Sequence, residues 1–81
     1  MITRAQVRMA RAGLGWSLEA LAARAGIAKN TINRFERGGD TTLSTLAKIQ
    51  TALEDAGIVF IPQDEQGGPG VRLKQDVGRE P

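Results

Sequence analysis

Glycine divides most of this chain into short amphipathic segments. Gly13 and Gly15, Gly26, Gly38-Gly39 and Gly57 each follow a stretch whose apolar residues recur at helical spacing. A glycine just past such a stretch readily takes the left-handed conformation that closes a helix, so each marks a stop. Starts are marked as well. Thr3-Arg4-Ala5-Gln6 has the form of a capping box, Ser17 precedes the second segment and Thr42 the fourth. The pattern predicts four helices at about Arg4–Ala12, Leu18–Ala25, Lys29–Arg37 and Leu43–Ala56, with a very short turn between the second and third.

The stripes give these helices an inside. Val7, Ala10, Arg11 and Leu14 share one face of the first helix, and Leu18, Leu21, Ala22 and Ala25 one face of the second. Leu46, Ile49 and Leu53 do the same in the fourth. After Gly57 the period changes. Ile58-Val59-Phe60-Ile61 is a short β-branched and aromatic run stopped by Pro62, and Val71-Arg72-Leu73-Lys74 alternates apolar with charged residues as a half-buried strand does. The polar, glycine-rich stretch between them makes the pair a β-hairpin with a long loop. Gly67-Gly68-Pro69-Gly70 lacks the Lys-Ser/Thr of a phosphate-binding loop and reads as a turn, while Asp64-Glu65 reads as a solvated pair rather than a metal site. The expected organisation is a helical core over residues 1–57, a hairpin over 58–74 and a flexible tail over 75–81.

Composition narrows the function. A domain of 81 residues buries only about 60% of its unfolded surface, so its core needs a supplement. There is no cysteine for disulfides and no histidine to complete a structural zinc site, which leaves a partner subunit. The absence of His, Cys and Tyr also removes the commonest general bases and soft nucleophiles, which weighs against an enzyme. No catalytic residue, cofactor, metal or small-molecule ligand is expected. The longest run of large apolar residues, Ile58–Ile61, is far short of a membrane span. No apolar segment of secretory type follows Met1-Ile2-Thr3-Arg4, so the cytoplasm is the expected location.

The formal charge of +2 is unevenly spread. Residues 1–37 carry seven basic side chains against two acidic ones, a balance of +5, and residues 38–81 carry four against seven, a balance of −3. The third helix gives the positive half a direction. At about 100° per residue, Lys29, Asn33, Arg37, Asn30 and Arg34 fall within about 140° of arc, with Ile32, Phe35 and Ala28 on the other side. That outward set holds no carboxylate, whereas an ordinary solvated face mixes in Glu and Asp. Lys, Asn and Arg are the side chains that bond guanine acceptors, adenine edges and phosphates. Two charges lie on apolar faces instead, Arg11 between Val7 and Leu14 and Glu36 four residues after Ile32. Either alone is costly to bury, so the two are expected to form a salt bridge joining the first and third helices.

The run Leu14-Gly15-Trp16-Ser17-Leu18-Glu19-Ala20-Leu21-Ala22, followed by Ala25-Gly26-Ile27, Thr31-Ile32 and Glu36-Arg37-Gly38, resembles the helix-turn-helix of the Cro/phage-repressor (Xre-type) transcriptional regulators. The likeness covers about residues 4–56. It implies a mainly α fold, a four-helix DNA-binding core of repressor type whose third helix lies in the major groove of double-stranded DNA. It places base reading on Lys29, Asn30 and Arg34, with Asn33 beside them. Phosphate contact falls to Ser17, the amides that begin the second helix at Leu18, Arg37 and the amides of Gly38 and Gly39. It also matches Arg11 and Glu36 to a pair commonly salt-bridged in the family. Three positions depart from the pattern. Leu18 stands where Gln is frequent, so only its backbone can reach DNA. Ala28 stands where Ser or Thr often caps the third helix, and a β-hairpin replaces the usual fifth helix.

A lone hairpin is marginal in water and needs a cover. Val71 and Leu73 are placed to pack on the fourth helix, but Ile58–Ile61 is apolar on both faces, which points beyond the protomer. A homodimer interface is therefore expected from Ile58, Val59, Phe60, Ile61, Val71 and Leu73, setting two recognition helices about 34–36 Å apart. The function so indicated is sequence-specific regulation of transcription, with repression the simplest mode. The alternative is a protein-interaction module, such as an antitoxin-like partner whose hairpin holds another protein. Trp16, just before the Ser17 cap, reads as a staple to the core rather than a base-stacking residue.

Overall fold

Residues 1–75 are described by the structure, a computed structural model, and run α1 (Arg4–Leu14), α2 (Leu18–Ala25), α3 (Lys29–Glu36), α4 (Leu43–Asp55), β1 (Ile58–Ile61) and β2 (Gly70–Leu73). The fold is mainly helical with one small hairpin, as the spacing predicts. Local chemistry starts three of the four helices. Thr3 Oγ1 accepts from the Gln6 amide at 3.1 Å while Gln6 Oε1 accepts from the Thr3 amide at 2.9 Å, a complete capping box. Ser17 Oγ accepts from the Ala20 amide at 3.0 Å and Thr42 Oγ1 from the Thr45 amide at 3.1 Å.

Several ends differ from the sequence reading. Gly13 stays inside α1, where glycine costs only about 1 kcal/mol against alanine, and Gly15 at φ 71° makes the stop. The third helix ends at Glu36, with Arg37 as its closing residue, and the fourth at Asp55. Helical projection puts Ala28 on the buried side, yet it precedes the helix in extended backbone (φ −71°, ψ 140°) and is exposed. Lys74 lies just outside β2, its amide donating to the Gly57 carbonyl at 2.8 Å.

One core joins all six elements. Val7 and Ala10 from α1, Leu21 and Ala22 from α2, Ile32 and Phe35 from α3, and Leu46, Ile49, Ala52 and Leu53 from α4 are buried together with Ile2 and Ile58. In the hairpin Ile58 faces Leu73, Val59 faces Arg72, Phe60 faces Val71 and Ile61 faces Gly70. Alternation turns Ile58, Phe60, Val71 and Leu73 onto the core, and Val59, Ile61 and Arg72 to the other side. β1 lies along α4 and β2 along α1, so Val71 and Leu73 cover the first helix rather than the fourth. Ile58, only 1% exposed, is spent inside the protomer and is withdrawn from the expected dimer interface.

Gln6 locks this arrangement. It is buried, and its Nε2 donates to the carbonyls of Ile61 at 3.1 Å and Gly70 at 2.9 Å, tying the mouth of the hairpin to the first turn of α1. In the loop, Asp64 Oδ1 accepts from the Gln66 amide at 2.8 Å, a local turn, and no group of metal-binding side chains occurs among the described residues. No described helix is long and apolar enough to cross a membrane. The expected tail, beyond Gln75, lies outside the described residues.

Candidate nucleic-acid interface

The α2–α3 turn sets the angle of the exposed third helix. Gly26, at φ 71°, and Ile27 both donate to the Ala22 carbonyl, at 2.9 and 3.1 Å, and Ile27 then packs on the core. Ile32 and Phe35 bury the inner face of α3. Its outer face leaves Lys29, Asn30, Arg34 and Arg37 exposed, with Asn33 half-buried beside them. Among the described residues, the side chains of Asn30, Asn33, Arg34 and Arg37 engage in no hydrogen bond or ion pair, so their donors face outward unspent. Ala28 supplies no side-chain cap; its carbonyl accepts from Thr31 and Ile32, and the first amides of α3 stay free for a ligand.

The basic residues of α1 serve the other end of α3. Arg11 makes a bidentate pair with Glu36, Nε at 3.0 Å and the terminal nitrogen at 2.9 Å, and donates a third bond to the Trp16 carbonyl at 3.1 Å. The hydrogen bond to Glu36 and that carboxylate's charge hold the Arg11 guanidinium above its ordinary pKa against the opposing effect of burial. Arg4 donates to the carbonyls of Phe35 at 3.0 Å and Gly39 at 3.3 Å, with its guanidinium over the Phe35 ring, and Arg8 donates to the Glu36 carbonyl at 2.6 Å. Three guanidiniums thus meet the end of α3, where unsatisfied carbonyls and the helix dipole concentrate negative charge. Three of the seven positive charges of the basic half are therefore structural. The roles of Arg4 and Arg8 escaped the sequence reading, although their spacing with Arg11 puts all three on one stripe of α1.

Toward the start of α2 the surface is mixed. Ser17 Oγ is engaged as the cap, and Leu18 turns its side chain to the core. Glu19, from α2, pairs with Lys29 at 2.9 Å, so a carboxylate does border the outward face, though none comes from the third helix itself. That bond from Lys29, then the residue's own backbone amide, then the Lys29 charge hold the Glu19 carboxyl below its ordinary pKa. Arg24 lies over the Trp16 ring, 4.7 Å from its centre, with Trp16 half-buried against the core.

The two glycines after α3 act differently from the sequence expectation. The Gly38 amide donates to the Phe35 carbonyl at 3.1 Å and the Gly39 amide to the Arg34 carbonyl at 2.8 Å. Both donors close the helix, so neither is free to hold a phosphate. Gly39 instead makes room for the Arg34 side chain: a Cβ there would come within 2.6 Å of Arg34 Cγ and 3.0 Å of its carbonyl oxygen.

A tight α2–α3 turn, a third helix presenting Lys, Asn and Arg outward, and a first helix bracing its far end define a helix-turn-helix protein. A family model described as Helix-turn-helix matches residues 7–54, well over half of the sequence, and the chain belongs to that family, of Xre/Cro type, a family of DNA-binding transcriptional regulators. Over 45 residues it is 44% identical to a candidate HTH-type transcriptional regulatory protein of Archaeoglobus fulgidus, a stretch covering 56% of this chain and 15% of that protein. The chain thus spans a small part of the curated relative it matches.

Proposed function

We propose that this protein is a sequence-specific regulator of transcription, acting as a homodimer that lays α3 in the major groove of double-stranded DNA. The observation that carries this reading is the outward face of α3, where Lys29, Asn30, Arg34 and Arg37 stand exposed while the arginines of α1 are spent at the helix end. Lys29, Asn30, Asn33 and Arg34 read base edges. Ser17, the Leu18 backbone and Arg37 meet phosphates. Repression follows most simply, by occlusion of a promoter. The dimer forms through the outward side of the hairpin, with Val59 and Ile61 at its centre and the half-buried margins of Phe60, Val71 and Leu73 around them.

Binding to duplexes at several salt concentrations tests the readers. Arg34→Ala should cost about 1–3 kcal/mol on the preferred duplex and little on random sequence, whereas Arg37→Ala should weaken both and flatten the salt slope by about one unit. Equal losses on both duplexes for Arg34→Ala would remove it from base reading. For the dimer, light scattering should give twice the protomer mass, and Val59→Lys with Ile61→Lys should halve it. A strict monomer with and without DNA sinks that part.

A further inference from the structure

We infer that Glu19 is a specificity-determining residue of the DNA-binding face, a resident anion that holds Lys29 and must be displaced before Lys29 can bond DNA. The inference rests on the DNA-binding reading above. Glu19 and Lys29 come from different helices, meet at 2.9 Å and are both largely exposed, with side-chain exposures of 65% and 49%. An exposed pair of this kind contributes little to folding, so its effect falls on whatever approaches the same surface. Lys29 stands at the first position of α3, on the face that carries Asn30 and Arg34.

Glu19 also lies in the first turn of α2, a helix start whose positive dipole end would otherwise attract a phosphate. The carboxylate therefore takes from Lys29 the bond that a phosphate or a base would otherwise receive. Any duplex brings phosphates toward this negative group and must break the ion pair. A duplex that offers Lys29 a guanine acceptor regains the bond in kind, whereas one that offers none regains nothing. Glu19 thus lowers affinity for all DNA but more for the wrong DNA, which is how a repulsive group raises discrimination.

Glu19→Gln keeps size and hydrogen-bonding capacity and removes the charge. Measured by fluorescence anisotropy across a salt series, the variant should bind random duplex about fivefold more tightly. Its salt slope should steepen by about one unit as Lys29 is released. The gain on a duplex selected by the wild type should be smaller, so the ratio of selected to random affinity falls. Lys29→Gln should cancel the gain on random duplex when made in the Glu19→Gln background, and in the wild type it should lower affinity for the selected duplex more than for random DNA. Melting curves check that all variants stay folded. Wild-type binding with no change in random-duplex affinity or slope for Glu19→Gln overturns the inference alone, as does an equal gain on both duplexes. Failure of the wild type and Glu19→Gln alike to bind any duplex overturns the inference together with the reading it rests on.

Discussion

Arg11 and Glu36 offer a stability experiment whose magnitudes can be worked from their surroundings. The Glu36 side chain is 6% exposed and that of Arg11 24%. Arg11→Met strands the more buried partner: the carboxylate loses both hydrogen bonds, and Arg4 and Arg8 reach only backbone carbonyls. The loss should be about 3–4 kcal/mol, near the middle of what unpairing a buried charge costs. Glu36→Gln should cost less, about 1.5–2.5 kcal/mol, because Arg11 keeps its bond to the Trp16 carbonyl and part of its side chain remains in water. Arg11→Met with Glu36→Leu removes both charges and should return to within about 1 kcal/mol of the wild type.

Those losses are large for this chain. At about 0.05–0.15 kcal/mol per residue its total stability is roughly 4–12 kcal/mol. At about 4–8 °C per kcal/mol, Arg11→Met should lower Tm by roughly 12–30 °C. Urea unfolding followed by circular dichroism and by the single tryptophan gives the free energies, and a constant m-value licenses their comparison. If each single substitution costs under about 1 kcal/mol and the two add, the pair is an ordinary solvated one and the reasoning fails.

Three further expectations follow from other contacts. Gly39→Ala forces its Cβ onto Arg34, so affinity for the preferred duplex should fall severalfold more than affinity for random DNA; an equal change on both contradicts the positioning of Arg34 by this glycine. Gln6→Leu orphans the carbonyls of Ile61 and Gly70 and should destabilise by about 1–3 kcal/mol, with faster amide exchange in the hairpin than in α4, and uniform exchange across the fold would contradict it. Glu19, whose carboxyl is held low first by the hydrogen bond from Lys29, favours the folded state above its unfolded pKa, an effect lost as pH falls through the lowered folded value. An NMR titration should therefore show the Glu19 midpoint rising in Lys29→Gln, and an unmoved midpoint would deny the pair in solution.

The sequence was most legible where one residue type acts within its own segment. Thr3, Ser17 and Thr42 announce helix starts because their side chains serve amides only three residues on. The change from helical to alternating spacing after Gly57 announces the hairpin. Arg11 and Glu36 are conspicuous because a charge on an apolar stripe needs a partner. What stayed hidden depends on neighbours from elsewhere in the chain. A projection of α3 alone cannot show Glu19 arriving from α2, nor Arg4 and Arg8 spending their charges on carbonyls of another helix. Gly38 and Gly39 looked like free amide donors because the turn that consumes their N–H groups is a property of the folded backbone. Ile58 looked available to a partner because strand patterning does not say which face meets α4.

Selection of bound duplexes from a random pool, followed by affinity measurements on the recovered sequence, bears most directly on base reading by α3. A recovered pseudo-palindrome with half-sites about one helical turn apart is expected, and Arg34→Ala should lower its advantage over random DNA roughly 5- to 150-fold. A pool that shows no enrichment, or an Arg34→Ala variant that discriminates as well as the wild type, contradicts that role for the third helix.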